Sequence, residues 1–344
     1  MILEVLSTGP MTSVQDKGRR GYRSYGVSAA GPMDWPSMAL ANRLCGNSTE
    51  AAALEFAAMG GTFRAERTIR FAVTGADCDI RVGEVPVQPG ESHQLDAGET
   101  LRIGSLRGAV WGYFAVSGGI ATPEVLGSRA THLRFGLGGH EGRALRAGDK
   151  LPLGAPEGHG ALLRPASPPA AHRLSDPIRI VLGPQDRKFT PEVLDRLSTE
   201  EFLITAQRDR MASILDGPDL PAIDGHDIIS DGAVPGAIQV PGSSKPMVLM
   251  AECQTTGGYP KIATVISADL PRLAQMPTGT RFRFQVVDRP TAEEAARRQA
   301  SALAALLDSL VGKSTGHLTS EYLLSCDLVG GIYDPEAILM GRAP

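Results

Sequence analysis

The feature that most constrains the fold is a series of short, strand-like apolar runs that turn residues interrupt at close intervals. In the first third of the chain these runs occupy residues 2–6, 69–73, 79–82, 101–105 and 110–116. Glycine (40 residues) and proline (25 residues) are abundant, and both favour turns over long helices. Because many short strands with frequent turns are typical of sandwiches and barrels, the sequence predicts a mainly β protein.

The second part of the chain carries further strand-like runs, at residues 178–182, 237–240, 247–250, 262–266 and 282–287. In the last run Phe282, Phe284 and Val286 alternate with polar residues, so we expect them to share one buried face. A change in composition separates the two parts, because residues 154–177 are rich in proline and alanine and lack periodicity, as in a linker.

Helices are expected to interrupt the strands at four places. One follows Asp34, which is a good capping residue, and it has Pro36 in its first turn and an apolar face formed by Met38, Ala41 and Leu44. The others are expected after Thr190, from Asp269 to Gln275, and over residues 291–310. We therefore predict an N-terminal β domain (1–155), a linker (156–177), a C-terminal β domain (178–290) and a helical or irregular accessory tail (291–344).

Charge and hydropathy limit the classes of partner. The net charge is −4 with no basic stripe, so we expect no nucleic-acid binding. No apolar run approaches the length of about 18 residues that a membrane span needs, and the N-terminus does not resemble a signal peptide. The four cysteines lack Cys-x-x-Cys spacing and the seven histidines do not cluster. We therefore expect a cytoplasmic protein without disulfides or a metal site.

Two stretches carry charged residues on glycine-containing loops. In residues 13–47, Arg19 is a candidate for binding an anion, Asp16 is a candidate for binding the substrate, and Asp16 or Asp34 could be a general base, with Asp34 the residue predicted to be catalytic. The alternative for these residues is capping, turn chemistry and a solvated loop charge. In residues 114–149, Arg143 is a second anion-binding candidate, since arginine on a glycine-rich loop suits carboxylates and phosphates. Its alternative is a surface ion pair.

A third stretch, residues 237–275, contains the segment AECQTTGGYPK between two predicted strands. Amide, hydroxyl and backbone N–H groups with one lysine could stabilise charge that develops on a carbonyl or phosphoryl oxygen. We therefore predict catalytic roles for Gln254, Tyr259 and Lys261. Binding roles are predicted for Gln239, Thr256, Gly257 and Gly258. The alternative is an elaborate β-connection whose polar groups satisfy its own backbone.

Long motifs in these stretches occur in order over roughly residues 1–288: VQDKGRRG, GVSAAGPMD, ANRLCGN, ALEF, VSGGI, LGSRAT, GLGGHEGR, GAIQVPGSSKP and QTTGGYPKIATVISADL. Together they resemble the allophanate hydrolase subunit 2 family, also named the biotin-dependent carboxyltransferase family, which contains the C subunit of the bacterial 5-oxoprolinase complex. One segment departs from the family pattern. Where the family usually has DRMGYRLEG, residues 209–217 read DRMASILDG, so an expected arginine is absent.

The resemblance implies two cyclophilin-like β-barrel domains with a few short helices and a C-terminal helix. It also implies a partner, the family's subunit 1 (the homologue of the B subunit), with the active site near the interface. A third chain, the LamB/YcsF-type A subunit, is implied as well. A small-molecule amide is the implied substrate, and ATP is implied, bound by this chain or by another subunit.

The leading hypothesis is therefore a component like the C subunit of an ATP-dependent 5-oxoprolinase complex, which converts 5-oxo-L-proline to L-glutamate, with this chain inactive alone. One alternative is the carboxyltransferase component of a biotin-dependent urea or amide carboxylase. Another is a non-catalytic regulatory protein that antagonises a kinase inhibitor.

Overall fold

The computed structural model describes residues 1–156, 161–167 and 176–313. Residues Met1–Gly312 form one compact unit, and of the second unit, Lys313–Pro344, only Lys313 is described. The strands are β1 (Ile2–Thr8), β2 (Ser13–Gln15), β3 (Ala53–Ala57), β4 (Met59–Ala65), β5 (Ile69–Thr74), β6 (Asp77–Val82), β7 (Val85–Val87), β8 (Ser92–Leu95), β9 (Thr100–Arg107), β10 (Trp111–Val116), β11 (Lys150–Pro152), β12 (Leu163–Pro165), β13 (Ile178–Leu182), β14 (Phe202–Arg208), β15 (Ala212–Asp216), β16 (Asp231–Gly232), β17 (Ala237–Gln239), β18 (Met247–Leu249), β19 (Thr256–Gly257), β20 (Lys261–Val265), β21 (Arg281–Phe282), β22 (Phe284–Val286) and β23 (Leu310–Gly312). The α-helices are α1 (Trp35–Leu44), α2 (Pro191–Thr199), α3 (Leu270–Gln275) and α4 (Arg289–Asp308).

Two antiparallel sheets form the N-terminal half and share one apolar core. Their strand orders are β11-β1-β4-β9-β6-β7 and β2-β3-β10-β5-β8. Phe63 of the first sheet and Phe71 and Phe114 of the second are fully buried in this core. The ring of Phe114 lies 4.9 Å from that of Phe63 and 6.1 Å from that of Phe71. Burial of each such side chain contributes roughly 1.5–3 kcal/mol, so these contacts hold the two sheets together.

Strand β10 is buried on both faces and connects this core to a second one. Phe114 and Val116 belong to the core between the two sheets, whereas Trp111 and Tyr113 belong to the second core. Alternate side chains of a strand lie on opposite faces, which explains how one strand serves both cores. The second core also contains side chains of the C-terminal half, for example Ile180. The two halves of the compact unit therefore share apolar packing.

Helix α1 begins where its sequence predicts. The Asp34 carboxylate accepts a hydrogen bond from the backbone N–H of Ser37 at 3.2 Å, and a proline lies in the first turn. Met38, Ala41 and Leu44, spaced three residues apart, are fully buried in the second core. Capping at the start and one apolar face together fix this helix against β5 and β10.

The C-terminal half is a barrel-like sheet in the order β21-β14-β15-β18-β17-β20-β13-β22. Its two outermost strands are consecutive in the sequence, with only Arg283 between them. Phe282 pairs with Phe202 of β14, and Phe284 pairs with Ile178 of β13, so this one segment joins the two edges of the sheet. Joining the edges leaves few unpaired backbone groups, which stabilises an eight-stranded sheet of short strands.

The prediction of a mainly β fold is confirmed, and each predicted strand and helix is present in the described ranges. Two local predictions are wrong. Val286, the last residue of β22, is 40% exposed instead of lying on the buried face. Asp269 precedes α3 but does not cap it, because its carboxylate binds the Arg179 side chain at 2.7 and 2.9 Å instead.

The predicted division into domains stays a prediction, because much of residues 156–177 lies outside the described ranges. Within the predicted linker, β12 pairs with β23, which is the last strand of the compact unit along the sequence. Most of the predicted tail, residues 314–344, also lies outside the described ranges. None of the helices in the described part of the chain is long and apolar enough to cross a membrane.

Candidate functional site

Two neighbouring strands of the barrel bring polar side chains together. Gln239 ends β17 and Lys261 begins β20, and the two residues are direct partners in the antiparallel pairing of these strands, beside a register shift. Directly opposed residues of an antiparallel pair have their side chains on the same face, with Cβ atoms about 5 Å apart. Both side chains are buried, with exposed fractions of 0% for Gln239 and 3% for Lys261.

Lys261 is held by an ion pair of its side chain and by a hydrogen bond of its backbone N–H. Its Nζ lies 3.1 Å from Oδ2 of Asp231, whose side chain is about half exposed. The Lys261 ammonium is the main reason that the pKa of Asp231 is lowered. Gln185 links the two residues, because its Oε1 accepts from the Lys261 backbone N–H at 3.0 Å and its Nε2 donates to Asp231 Oδ2 at 3.0 Å.

A pair of glutamine side chains lies beside this ion pair. Gln254 Nε2 donates to Gln239 Oε1 at 3.0 Å. Three buried atoms have no well-aligned hydrogen-bond partner among the described residues: Gln239 Nε2, Gln254 Oε1 and Lys261 Nζ. Lys261 Nζ does form its ion pair with Asp231. Leaving a buried polar atom without a partner destabilises a protein by about 1–3 kcal/mol, so three neighbouring cases require an explanation. We name Gln185, Asp231, Gln239, Gln254 and Lys261 the amide–lysine cluster.

Gly257 makes room for this cluster. It lies in the short strand β19, where its partner in β16 is Asp231. A Cβ atom at Gly257 would collide with Nε2 of Gln239, so a side chain at this position would force the Gln239 amide to move. Thr256 and Tyr259 are exposed and Gly258 is half-buried, so these three predicted residues surround the cluster on its solvent side.

Most of the residues predicted in the third stretch therefore lie close together. Gln239, Gln254, Gly257 and Lys261 make the contacts just described, and they are joined by Asp231 and Gln185, which were not predicted from the sequence. A signal for Asp231 was available, since Asp-Gly is a common turn pair and the acid precedes β17 by a few residues. Nothing in the sequence marks Gln185.

Asp16 and Asp34 make contacts of a different kind. Asp16 accepts hydrogen bonds from the Ser128 hydroxyl at 2.6 Å and from the Gly18 backbone N–H at 2.9 Å, which tie two loops together. Asp34 caps α1 and also accepts from Nε2 of Gln275 at 2.9 Å. These contacts favour the capping and turn alternative for both residues, and the role of Asp34 as a base stays a prediction without support from its position.

The two arginines predicted to bind anions differ in their surroundings. Arg143 is held by Asp149 at 2.8 and 2.9 Å and by Glu141 at 2.6 and 3.0 Å, as the surface ion-pair alternative expected. The pairing raises the pKa of Arg143 and lowers that of Asp149 to about 2. Arg19 is 1% exposed, donates to the Ala130 carbonyl, and has Nη1 without a partner among the described residues.

A buried ion network of Glu55, Arg210 and Glu252 was not predicted from the sequence. Arg210 donates to both carboxylates, with Nε at 2.6 Å from Glu252. The second oxygen of Glu55 accepts from the Tyr113 hydroxyl at 2.8 Å, and that of Glu252 accepts from the Leu133 N–H at 3.1 Å. Burial lowers the pKa of Arg210, while the Glu252 carboxylate opposes this shift.

This ion network was recognisable in principle. Glu55 interrupts the apolar motif ALEF, and a charge inside a buried strand pattern indicates a buried partner. Arg210 belongs to the segment that departs from the family pattern, and Glu252 belongs to AECQTTGGYPK, which was selected for other residues. Arg210 is separated from Glu55 by 155 positions and from Glu252 by 42, which is why no local spacing pairs them.

The amide–lysine cluster can bind a small polar group. It offers two open donors, Gln239 Nε2 and Lys261 Nζ, and one open acceptor, Gln254 Oε1. Donors that are already in place around a carbonyl oxygen polarise it without reorganisation, which is how oxyanion sites act. The barrel and its cluster thus define a mainly β protein with a buried polar site on the barrel wall.

Comparison with known proteins places the chain in a family. The family model for the carboxyltransferase domain, subdomain A and B, matches residues 25–286. The chain belongs to this family.

Two curated relatives are both named as the C subunit of 5-oxoprolinase. The protein from Escherichia coli is 37% identical over 283 residues, covering 82% of this chain and 90% of that protein. The protein from Haemophilus influenzae is 33% identical over 297 residues, covering 86% of this chain and 95% of that protein. Among solved structures, Kluyveromyces lactis urea carboxylase superposes with a TM-score of 0.81 at 27% identity. That match covers 91% of this chain but 30% of the urea carboxylase.

Proposed function

We propose that this chain is the component of an ATP-dependent 5-oxoprolinase complex that corresponds to the C subunit, and that the complex opens 5-oxo-L-proline to L-glutamate. The observation that carries the proposal is the set of three open polar atoms in the amide–lysine cluster, next to one another and buried. The names of the two curated relatives support the same reaction. A lactam carbonyl is the polar group that the two open donors suit.

In this reaction ATP transfers a phosphoryl group to the lactam oxygen and ADP leaves. One water adds to the ring carbon, the C–N bond breaks as the nitrogen takes up a proton, and a second water releases phosphate from the resulting acyl phosphate. Lys261 Nζ and Gln239 Nε2 act by binding the lactam oxygen and orienting it for phosphoryl transfer. Asp231 and Gln185 position the lysine through its ion pair and its backbone.

The charges of the amide–lysine cluster suit a neutral amide better than a triphosphate. Its one ammonium is balanced by the Asp231 carboxylate, and its other groups are uncharged amides. Phosphate sites instead gather several cations or backbone N–H groups. We therefore propose that the phosphates of ATP are bound chiefly by another subunit.

The partner would cover the solvent side of the cluster. Ile229 is 94% exposed, Val234 49% and Tyr259 40%. The backbone N–H of Ile228 donates to the Gly258 carbonyl and that of Ala233 donates to the Thr255 carbonyl, so these apolar side chains flank the cluster. Exposed apolar residues around a polar site are typical of an interface. The proposed occupant is the homologue of the B subunit, with a LamB/YcsF-type A subunit completing the complex.

Reconstitution tests the proposal. The chain is mixed with its B-subunit and A-subunit homologues, ATP and 5-oxo-L-proline, and glutamate is measured. We expect glutamate only when all three chains are present. Formation of the complex without glutamate release would contradict the oxoprolinase reaction, and turnover by this chain alone would contradict the shared site.

A second candidate reaction is favoured by the match to urea carboxylase. Under this alternative, the amide–lysine cluster binds the carbonyl of urea or another amide while a carboxyl group is transferred from biotin. The same reconstitution with a biotin carboxylase and a biotinylated carrier protein separates the two reactions. Carboxylated product with urea or an amide, and no glutamate from 5-oxoproline, would favour carboxyl transfer. A complex with neither activity would favour a regulatory binding protein.

A further inference from the structure

The two glutamines of the amide–lysine cluster share one hydrogen bond where two are available. Two primary amides that face each other can form a closed pair with one hydrogen bond in each direction. Here Gln254 Nε2 donates to Gln239 Oε1 at 3.0 Å, whereas the other donor and the other acceptor, Gln239 Nε2 and Gln254 Oε1, are both open. Exchanging O and N in both amides leaves the same balance of one open donor and one open acceptor.

An open donor beside an open acceptor matches one particular ligand edge. In a ring amide or a cyclic urea the carbonyl and the N–H point to the same side, whereas in an ordinary trans peptide they point to opposite sides. The ligand oxygen would accept from Gln239 Nε2, and the ligand N–H would donate to Gln254 Oε1. Lys261 Nζ, whose strand position is opposite Gln239, adds a second donor on the oxygen side.

We propose that Gln239 and Gln254 are specificity-determining residues that select ligands with a carbonyl and an N–H on one edge. This inference rests on the proposed function for the location of the substrate, and it adds a role to Gln254, which binds the nitrogen side of the ligand. The pair rejects amides whose nitrogen is alkylated, and also lactones, because these lack the N–H and leave a buried acceptor without a partner.

Gly257 supports this assignment. Because Gly257 has no side chain, the space beside Gln239 Nε2 stays free, and a Cβ atom there would collide with that nitrogen. Gln239 is fully buried and Gln254 is partly buried, so the first is fixed in the barrel wall while the second lies towards solvent. The partly buried Gln254 is therefore the member of the pair on the side from which a ligand would enter.

Binding without ATP tests the inference independently of turnover. The probes are 2-imidazolidinone, a cyclic urea with the required edge, and its N,N′-dimethyl derivative, titrated calorimetrically into the assembled complex. We expect the dimethyl compound to bind at least about tenfold more weakly, since it leaves one buried group unpaired. Equal binding of the two probes would overturn the inference.

Two variants locate the effect. Gln254→Leu should weaken 2-imidazolidinone by about tenfold or more and leave the dimethyl compound within about twofold of its wild-type affinity. Gln239→Glu keeps the shape of the side chain and an acceptor for Gln254 but replaces the open donor by an acceptor, so it should weaken both probes. A Gln254→Leu change that weakened both probes equally would contradict the role assigned to Gln254. Unchanged melting temperatures establish that the variants are folded.

The outcome is distinguishable from that of the proposed function. If the complex binds the cyclic urea with the expected discrimination but releases no glutamate, the ring-opening reaction is wrong and the edge recognition stands. If the complex opens 5-oxoproline and N-methyl-5-oxoproline with similar kcat/KM, the reaction stands and the edge recognition is wrong.

Discussion

The molecule has two groups of buried polar residues, and they differ in whether their polar atoms all have hydrogen-bond partners. In the ion network of Glu55, Arg210 and Glu252, each carboxylate oxygen accepts a hydrogen bond. In the amide–lysine cluster, three buried atoms keep open hydrogen-bonding capacity among the described residues. Burial alone therefore does not identify a binding site. Open hydrogen-bonding capacity on three adjoining side chains makes the amide–lysine cluster the better candidate, because a fully satisfied network has nothing left to offer a ligand.

The two groups also differ in what they join. The ion network connects β3 of the N-terminal half to loops of the C-terminal half, over separations of 155 and 42 residues along the chain. The amide–lysine cluster is built on adjoining strands of one barrel and the loops between them. We infer that the ion network fixes the two halves relative to each other, and that the amide–lysine cluster is free to bind a ligand.

The largest expected effect comes from breaking the ion network. Arg210→Met leaves two buried carboxylates without their cation and should lower the free energy of unfolding by about 3–5 kcal/mol. Urea denaturation of the full chain measures this. The matched control is Arg283→Met, which removes an exposed arginine that lies 3.4 Å from Glu201 and should change stability by less than about 1 kcal/mol. Equal effects of the two variants would show that the network is not a structural tie.

Substitutions in the amide–lysine cluster should change activity instead of stability. Lys261→Met should lower kcat of the reconstituted complex by about 100-fold or more, because one donor on the reacting oxygen is lost. The control is Lys245→Met, which removes a half-buried lysine paired with Asp216 and Asp219. Full activity of the Lys261 variant in an assembled complex would refute its role.

A smaller effect is expected from filling the space at Gly257. Gly257→Ala places a methyl group against the Gln239 amide, and we expect a decrease in kcat/KM of about tenfold. Gly232→Ala is a matched control in the paired strand, since a Cβ there meets nothing within 4 Å. Similar losses in the two variants would indicate a general effect on the β16–β19 pair.

The smallest effect concerns pH. The pKa of Asp231 is lowered from its usual 3.8 in the folded state. Its pairing with Lys261 therefore stabilises the protein fully at pH values above about 3.8. The contribution is lost as the pH falls through the lowered folded pKa. The stability difference between wild type and Asp231→Asn should therefore be constant near neutral pH and shrink below about pH 4. A difference that stayed constant to lower pH would contradict the pairing.

Local signals in the sequence predicted the elements well. The capping of α1 by Asp34 and the spacing of Met38, Ala41 and Leu44 depend on neighbouring residues only, and the structure has both features. The closure of the barrel depends on Phe282 and Phe284 pairing with strands far away in the chain, which no local pattern specifies.

The candidate site was predictable in part for the same reason. Gln254, Gly257 and Lys261 lie within one segment of eleven residues and could be selected together as residue types suited to binding an oxygen. Gln185 and Asp231 reach the same place from other parts of the chain. The satisfied state of Arg143 and the open state of the glutamines follow from partners that only the folded chain brings close.

The most direct measurement is a crystal structure of the assembled complex with 5-oxo-L-proline and a non-hydrolysable ATP analogue. We expect the lactam oxygen within hydrogen-bond distance of Gln239 Nε2 and Lys261 Nζ, and the ring N–H directed at Gln254 Oε1. A lactam bound elsewhere, with these three side chains out of contact with it, would contradict the proposed site.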